Sequence, residues 1–553
     1  MQSARFATIV AIVASSLTAV PAISQTPKPD LVVLIAIDQF GSQLFNKWRA
    51  SVSNGLKHIA SEGIIYSNAF QSHGVTETCP GHSTLLTGKH PGRTGIVANE
   101  WFDAQTGKDI YCVADSTFTS ANNPQARKVG PGLLTTDTLG DWLKAQQPES
   151  RVVAVSGKDR ASITMGGHQA DAVFWYEDNF GFTTFLAAGQ DAGVKLAPVA
   201  ALNSRIQAEA KTVPPWTYLD DSCRSLEGEY KLGDVTWHSK LPPEIPQKEG
   251  AARTNVRPLH IMDPLTAEAA RQLVAYYQLG KRGVTDLLAV SFSATDFIGH
   301  GYGTQGPEMC DHIHRLDVVL GEFLSFLDGL GSRVLVVVTG DHGGSDFAER
   351  LALQGFAAAK RIDGKTFLAN INTDLKANLS LNFDPLLSPD MVQFYAVDDK
   401  RRSLDEPLRS RILAAAIDIL KGRPEVEEAF ALSDLLEHKV VRSAPSDYSL
   451  LDRFSQSVMR GRSGDILVAY KAGVSTSRIL PTRFIMGHAG PYAPDTSVPI
   501  IFLWRQARAQ TRLQPVDTTS IAPTLANIMR ITTPPDLDGH CLDIGYEGAP
   551  LCK

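Results

Sequence analysis

The chain predicts an α/β fold: a doubly wound, mostly parallel sheet flanked by helices and carrying inserted subdomains. Three features of its 553 residues carry that expectation. Continuous apolar, β-branched runs recur along the chain, helical patterns separate them, and each run ends in a polar cluster. Apolar strands that do not alternate mark a sheet covered on both faces. Strand–helix alternation marks the doubly wound arrangement, whose ligands bind outside the carboxyl ends of the strands. With 43% hydrophobic and 20% charged residues, the composition excludes collagen-like and wholly disordered classes. A formal charge of −6 offers no basic excess for a dedicated nucleic-acid partner.

The elements follow in chain order. Residues 1–24 read as a secretory signal: Arg5 is the positive start, 6–20 the short apolar run, and Ala22 and Ser24 the small residues before a cut at Gln25. The alternative, a membrane anchor, needs a longer apolar run. Export to the periplasm or the exterior fits the six cysteines, an even number suited to an oxidising compartment. Cys541 and Cys552, around a short loop, are the preferred pair; spacing does not choose among the rest. The first strand, Leu31–Ile37, runs into Asp38, and Val152–Ser156 runs into Gly157-Lys158-Asp159-Arg160. A Pro- and Gly-rich stretch at about 180–262 reads as a rim or lid insertion. A helix at 267–279 precedes the strand at 287–292, which leads to Asp296; a helix at 310–330 precedes the strand at 334–339, which leads to Asp341-His342. Residues 375–480, with a helix at 407–421 and a strand at 465–470, read as a cap-like inserted subdomain. The catalytic domain is thus expected at 25–374 and again at 481–553.

The polar clusters hold the chemistry. Asp296 and His300 would share one face of a helical turn. Asp341-His342 precedes two glycines, Asp38 ends a strand, and His488 sits in a Gly-flanked loop. These are six candidate ligands, enough for two divalent ions. Taken singly, each pattern is weak. His312 and His314 read as solvated or as lying behind the ligands, and His73 and His82 as structural groups near the site. Between Asp38 and the later ligands comes Thr76-Glu77-Thr78-Cys79-Pro80-Gly81-His82. Its proline marks a loop entering a helix. A hydroxyl just before a helix N-terminus, beside free N–H groups and the positive dipole end, suits an attacking oxygen and a phosphoryl group. The plain alternative is a threonine N-cap.

In order, Asp38, Thr78-x-Pro80-x-His82, Asn99, Asp296-x-x-x-His300, Asp341-His342-Gly343 and Gly487-His488 resemble the alkaline phosphatase superfamily. Within it, the chain resembles the threonine-nucleophile branch: type I phosphodiesterases/nucleotide pyrophosphatases and atypical secreted bacterial alkaline phosphatases. Lys158-x-Arg160 resembles the pair found in the branch members that act on monoesters. The resemblance implies an alkaline-phosphatase-like fold and two zinc ions per chain. Asp296, His300 and His488 would hold one ion, and Asp38, Asp341 and His342 the other, joined by Thr78. It implies Thr78 as the nucleophile of a phosphothreonine pathway, with Asn99, Lys158 and Arg160 binding the phosphoryl group of small-molecule phosphate esters. Mixed Asp/His donors also suit manganese or cobalt. The chain departs from serine-dependent alkaline phosphatases in its threonine and in lacking a recognisable magnesium set. Cys79 does not signal a sulfatase, because Thr78 stands two residues before Pro80 and His82 replaces the expected arginine. A phosphodiesterase or nucleotide pyrophosphatase on the same scaffold, and a silent phosphate- or metal-binding protein, are the competing expectations. Oligomeric state is not legible in the sequence.

Overall fold

Seven strands position everything that follows: β1 Leu31–Ile37, β2 Ile64–Phe70, β3 Val152–Ser156, β4 Ala172–Glu177, β5 Asp286–Phe292, β6 Val334–Gly340 and β7 Ser497–Leu503. They lie side by side in the order β2-β7-β6-β1-β5-β3-β4 within a ten-stranded sheet. The computed structural model describes residues 28–209, 215–243, 259–441, 443–476, 484–545 and Cys552. The signal expected at 1–24 lies outside them.

β1 pairs in parallel with β5 and β6, β5 with β3, and β3 with β4; β7 runs antiparallel to both of its neighbours. All seven residues of β1 are buried, because alternate side chains enter two different apolar layers. Val33 and Ile35 face a layer containing Leu273 and Phe323, whereas Val32 and Leu34 face one containing Leu86 and Leu525. Burying each such side chain stabilises the fold by about 1.5–3 kcal/mol. The helices that matter are α1 Thr78–Thr87, α2 Asp159–Gly166, α3 Met262–Tyr277, α4 Ala294–Tyr302 and α5 Pro307–Asp328. α5 starts three residues ahead of its expected position, since Pro307 is well suited to a helix's first turn.

Register brings the functional ends together. Ile37 stands opposite both Phe292 and Gly340, and Ser291 opposite Ser156. Strands in parallel register end at one edge, so Asp38, Asp341 and the turns leading to Lys158 and Asp296 emerge side by side.

A second core lies between helices Gly364–Leu379 and Leu408–Lys421 and a four-stranded sheet that includes Gln393–Ala396 and Ile466–Tyr470. Phe367, Ile371, Phe394, Ile412, Leu420 and Ile466 fill it. In the 180–262 stretch, a hairpin of Gly228–Leu232 and Val235–Ser239 docks through Arg350, which stacks on Tyr230 and Phe347. Disulfides join Cys79 to Cys112, Cys223 to Cys310 and Cys541 to Cys552; the last is the pair expected from spacing. No helix among the described residues is long and apolar enough to cross a membrane.

Candidate active site

Asp38 leaves β1 and is followed by Gln39 at φ 64, a left-handed turn that keeps the chain at the sheet edge. Asp341 and His342 leave β6. α4 carries Asp296 and His300 one turn apart, and the segment from Phe484 supplies His488. Asp38, Asp341 and His342 are fully buried, and Asp296 nearly so. His342 Nε2 lies 3.4 Å from Asp341 Oδ2 and 3.7 Å from Asp38 Oδ1. His300 Nε2 and His488 Nε2 lie 3.3 and 3.4 Å from Asp296 Oδ1. The His342 and His488 rings stack at 3.9 Å, so the two groups adjoin. His342 also comes within ligating reach of the Asp296–His488 pair, a closeness that the linear spacing did not foretell.

These residues fit divalent metal binding. Each imidazole places Nδ1 against a backbone carbonyl: His300 at Met486 (2.9 Å), His342 at Gly343 (2.8 Å) and His488 at Thr76 (2.7 Å). That contact fixes the ring and leaves Nε2 to ligate. Asp38 Oδ1 and His342 Nε2 are buried without a hydrogen bond, while Asp38 Oδ2 and Asp341 Oδ2 meet Lys158 Nζ at 2.7 Å and His82 Nδ1 at 2.9 Å. Leaving the two orphaned atoms, one a carboxylate oxygen and one a ring nitrogen, buried and unpartnered is costly, and a bound cation would satisfy both. The Asp–His separations also match the edge of a tetrahedron with bonds of about 2.0–2.1 Å, which is about 3.3 Å.

The electrostatics carry the mark of crowding. Burial raises the Asp38 carboxyl to about 6, with Asp341 adding to the rise and Lys158 opposing it. Burial also works against charge on Asp296 and Asp341, but His300 and Lys158 beside the first, and His342 and His82 beside the second, hold both well below the usual carboxylate range. Burial, reinforced by the neighbouring His342, lowers His488 to about 3 and keeps it a neutral donor.

Thr78 is buried in the first turn of α1, with Glu77 as the N-cap, so the nucleophile candidate stands just inside the helix rather than before it. Neither Glu77 nor Thr78 makes a side-chain cap bond, which removes the plain N-cap reading. Gly81 lets α1 approach β6: a Cβ there would meet the Asp341 carbonyl oxygen at 2.1 Å. Lys158, the N-cap of α2, is fully buried, with Nζ 3.3 Å from Thr78 Oγ1, 2.7 Å from Asp38 Oδ2 and 2.5 Å from Asp296 Oδ2. Arg160 makes a different contact, donating to the Tyr111 hydroxyl at 3.5 Å, and Tyr111 donates to Asp159 at 2.6 Å. Asn99 accepts from the Cys79 N–H through Oδ1 at 2.9 Å, so its amide NH2 is the end it can offer to a substrate.

Several neighbours had no clear sequence signal. Gln39 donates its backbone N–H to Asp341 Oδ1 (3.0 Å) and its side-chain amide to Asp296 Oδ1 (2.9 Å), bridging the two ligand groups. Glu77 accepts from the Asn99 N–H at 2.6 Å; burial, then repulsion from Asp390, raises it to about 7. His82 sits 2.9 Å from Asp341 Oδ2 and 2.9 Å from Ser291 Oγ. The Thr-x-Pro-x-His spacing was the available hint for it. His312 is buried rather than solvated, bonded to Thr295 behind Asp296 at 2.9 Å, because its face of α5 packs on α4. His73 is buried beside Gln71, and His314 lies 3.1 Å from Asp220.

Known proteins resemble this chain along nearly its whole length. The sequence profile of the type I phosphodiesterase / nucleotide pyrophosphatase family matches residues 32–478. The chain is 34% identical to the alkaline phosphatase PhoK of a Sphingomonas species, over 94% of this chain and 92% of that one. It is also 34% identical to the alkaline phosphatase PhoD of Zymomonas mobilis subsp. mobilis, over 94% and 89%. Its fold is similar to the crystal structure of wild-type alkaline phosphatase PafA, with a TM-score of 0.81 and 24% identity over 94% of this chain and 100% of that one. The chain belongs to the type I phosphodiesterase/nucleotide pyrophosphatase family of the alkaline phosphatase superfamily.

Proposed function

We propose that this chain is an exported alkaline phosphatase that hydrolyses phosphate monoesters of broad structure through a phosphothreonine intermediate on Thr78. The observation that carries the reading is the meeting of Thr78 Oγ1 and Lys158 Nζ, 3.3 Å apart, beside two adjoining Asp/His groups at the sheet's carboxyl edge. The alkaline phosphatase names of the relatives agree with it.

Asp296, His300 and His488 would hold one zinc ion; Asp38, Asp341 and His342 would hold a second, with Thr78 as a further ligand. When bound, two such ions stabilise charge on the attacking and leaving oxygens of an in-line displacement and ease deprotonation of nucleophile and water. Thr78 Oγ forms the new bond to phosphorus as the ester oxygen departs with the bonding electron pair. Water then attacks the phosphothreonine, releasing inorganic phosphate and restoring the Thr78 hydroxyl. α1 contributes the positive end of its dipole to the phosphoryl oxygens. Lys158 supplies a buried point charge, Arg160 a planar pair of donors and Asn99 an amide donor. A dianionic monoester gains more from this set than a monoanionic diester does.

The test compares Thr78→Ala and Lys158→Ala with the parent on an aryl phosphate and the matching diaryl phosphate. Thr78→Ala is expected to lose turnover of both while keeping its metal by elemental analysis; retained turnover would remove Thr78 from the chemistry. Lys158→Ala is expected to lose kcat/KM selectively on the monoester. A parent enzyme that prefers the diester would favour a phosphodiesterase instead. We further propose a periplasmic or secreted location, and an inserted subdomain whose own core begins with the helix Gly364–Leu379.

A further inference from the structure

The site has a depth gradient that orients its substrate. Thr78, Lys158, Asp38, Asp341 and His342 are at most 1% exposed, and the His488 side chain is 6% exposed. The His300 side chain stands out at 21%. A phosphoryl group taken up by Thr78 and Lys158 therefore sits at the closed end, and His300 is the candidate ligand on the partly exposed side, which Asn99, Arg160 and Phe297 also reach. Beside that imidazole stands Phe484, a large apolar side chain left 46% exposed. Its ring meets the His300 ring edge-on, with centroids 5.0 Å apart.

The position of Phe484 is fixed by the same bonds that fix the ligand. The Ile485 N–H donates to the His300 carbonyl at 2.7 Å, the His300 Nδ1 contacts the Met486 carbonyl at 2.9 Å, and Arg361 donates to the Ile485 carbonyl at 2.7 Å. Two of these bonds tie the backbone of Ile485 and Met486, next to Phe484, to His300 of α4, and the third ties Ile485 to Arg361. The strap ends two residues beyond Met486 at His488, so the exposed ring and two candidate ligands form one rigid unit. Phe297 lies on α4 between Asp296 and His300 and receives Lys158 Nζ 4.8 Å above its ring.

We propose that Phe484 is a shelf for an aromatic leaving group, making aryl phosphates, whose ring is joined directly to the ester oxygen, a favoured substrate class. An exposed aromatic ring held rigidly beside His300 offers a second ring stacking or edge contact and loses little entropy in doing so. An alkyl leaving group gains far less from it. This inference rests on the phosphomonoesterase reading.

The experiment measures kcat/KM of the metal-loaded parent, Phe484→Ala and Phe484→Tyr on phenyl phosphate and on glycerol phosphate, with inhibition by phenylphosphonate and by inorganic phosphate. Phe484→Ala is expected to lose about three- to tenfold on phenyl phosphate and to bind phenylphosphonate more weakly by a similar factor. Glycerol phosphate turnover and inhibition by inorganic phosphate should stay at parent values, and Phe484→Tyr should restore the aryl preference. Equal losses on both esters, weakened inhibition by inorganic phosphate, or no change on phenyl phosphate would each overturn the shelf. A parent that hydrolyses neither ester would overturn the phosphomonoesterase reading, and the shelf with it.

Discussion

Gln39 shows what a single residue does for a two-part site. Its backbone and side-chain amides reach carboxylates from opposite ligand groups, and its left-handed backbone persists because both bonds hold it there. Neighbouring glycines leave it no slack: a Cβ at Gly299 would lie 1.9 Å from Gln39 Oε1. Gln39→Met keeps the stem and removes the donor, so metal affinity in a chelator competition is expected to fall about 10- to 100-fold, as for other partners of metal ligands. Unchanged affinity would show that Asp296 needs no such orientation. At this scale the ligand candidates were legible, because Asp and His suit metal binding and recur in one order at successive strand ends, although each pattern alone is weak. Gln39 and Glu77 were not, since an isolated amide or carboxylate carries meaning only through the partners the fold brings to it, Asp296 and Asp341 for Gln39 and Asn99 for Glu77.

Elements succeed where their ends are capped. The helix Leu139–Gln146 begins with a capping box in which Thr138 and Asp141 bond reciprocally. Asp141 also accepts the N–H groups of His168 and Gln169 at 2.9 and 2.6 Å. Burial pushes its pKa up, but the His168 side chain and these N–H donors prevail and hold it below the ordinary value. A carboxyl lowered on folding stabilises the native state above its unfolded pKa of about 3.9, and that contribution is lost as pH falls through the folded value. Asp141→Asn is therefore expected to cost about 2 kcal/mol at neutral pH, with the gap from the parent narrowing below about pH 4 in denaturant titrations. A gap that stays constant down to pH 2 would count against the carboxylate's role. Strand cores were read closely, with β1 and β3 matching residue for residue. Helix starts drifted: α3 begins at Met262, five residues before its periodic run, because Asp263 turns back to accept the Ala294 N–H at the start of α4. That reason is tertiary.

Across the whole molecule, stability and function are distributed over distant segments. The Cys223–Cys310 bridge ties the 180–262 stretch to α5 across 87 residues. Loop-entropy arguments put such a closure at about 4–5 kcal/mol. The Cys223→Ala/Cys310→Ala double variant should unfold at clearly lower guanidinium concentration, and an unchanged midpoint would assign the bridge no stabilising role. The near-neutral charge balance conceals a concentration of opposite signs, in which one buried lysine lies among three buried aspartates. The sequence by itself determined the α/β class, the ordered Asp, Thr and His candidates, the family resemblance and the C-terminal cysteine pair, because strand hydrophobicity and ligand chemistry are local properties of residue type. Only the tertiary structure decided that His342 stands between the two ligand groups, that Lys158 lies buried between Asp38 and Asp296, that Cys79 pairs with Cys112, and that Phe484 meets the His300 ring. These are relations between segments far apart in the chain, set by strand register and helix packing, and no local pattern encodes them.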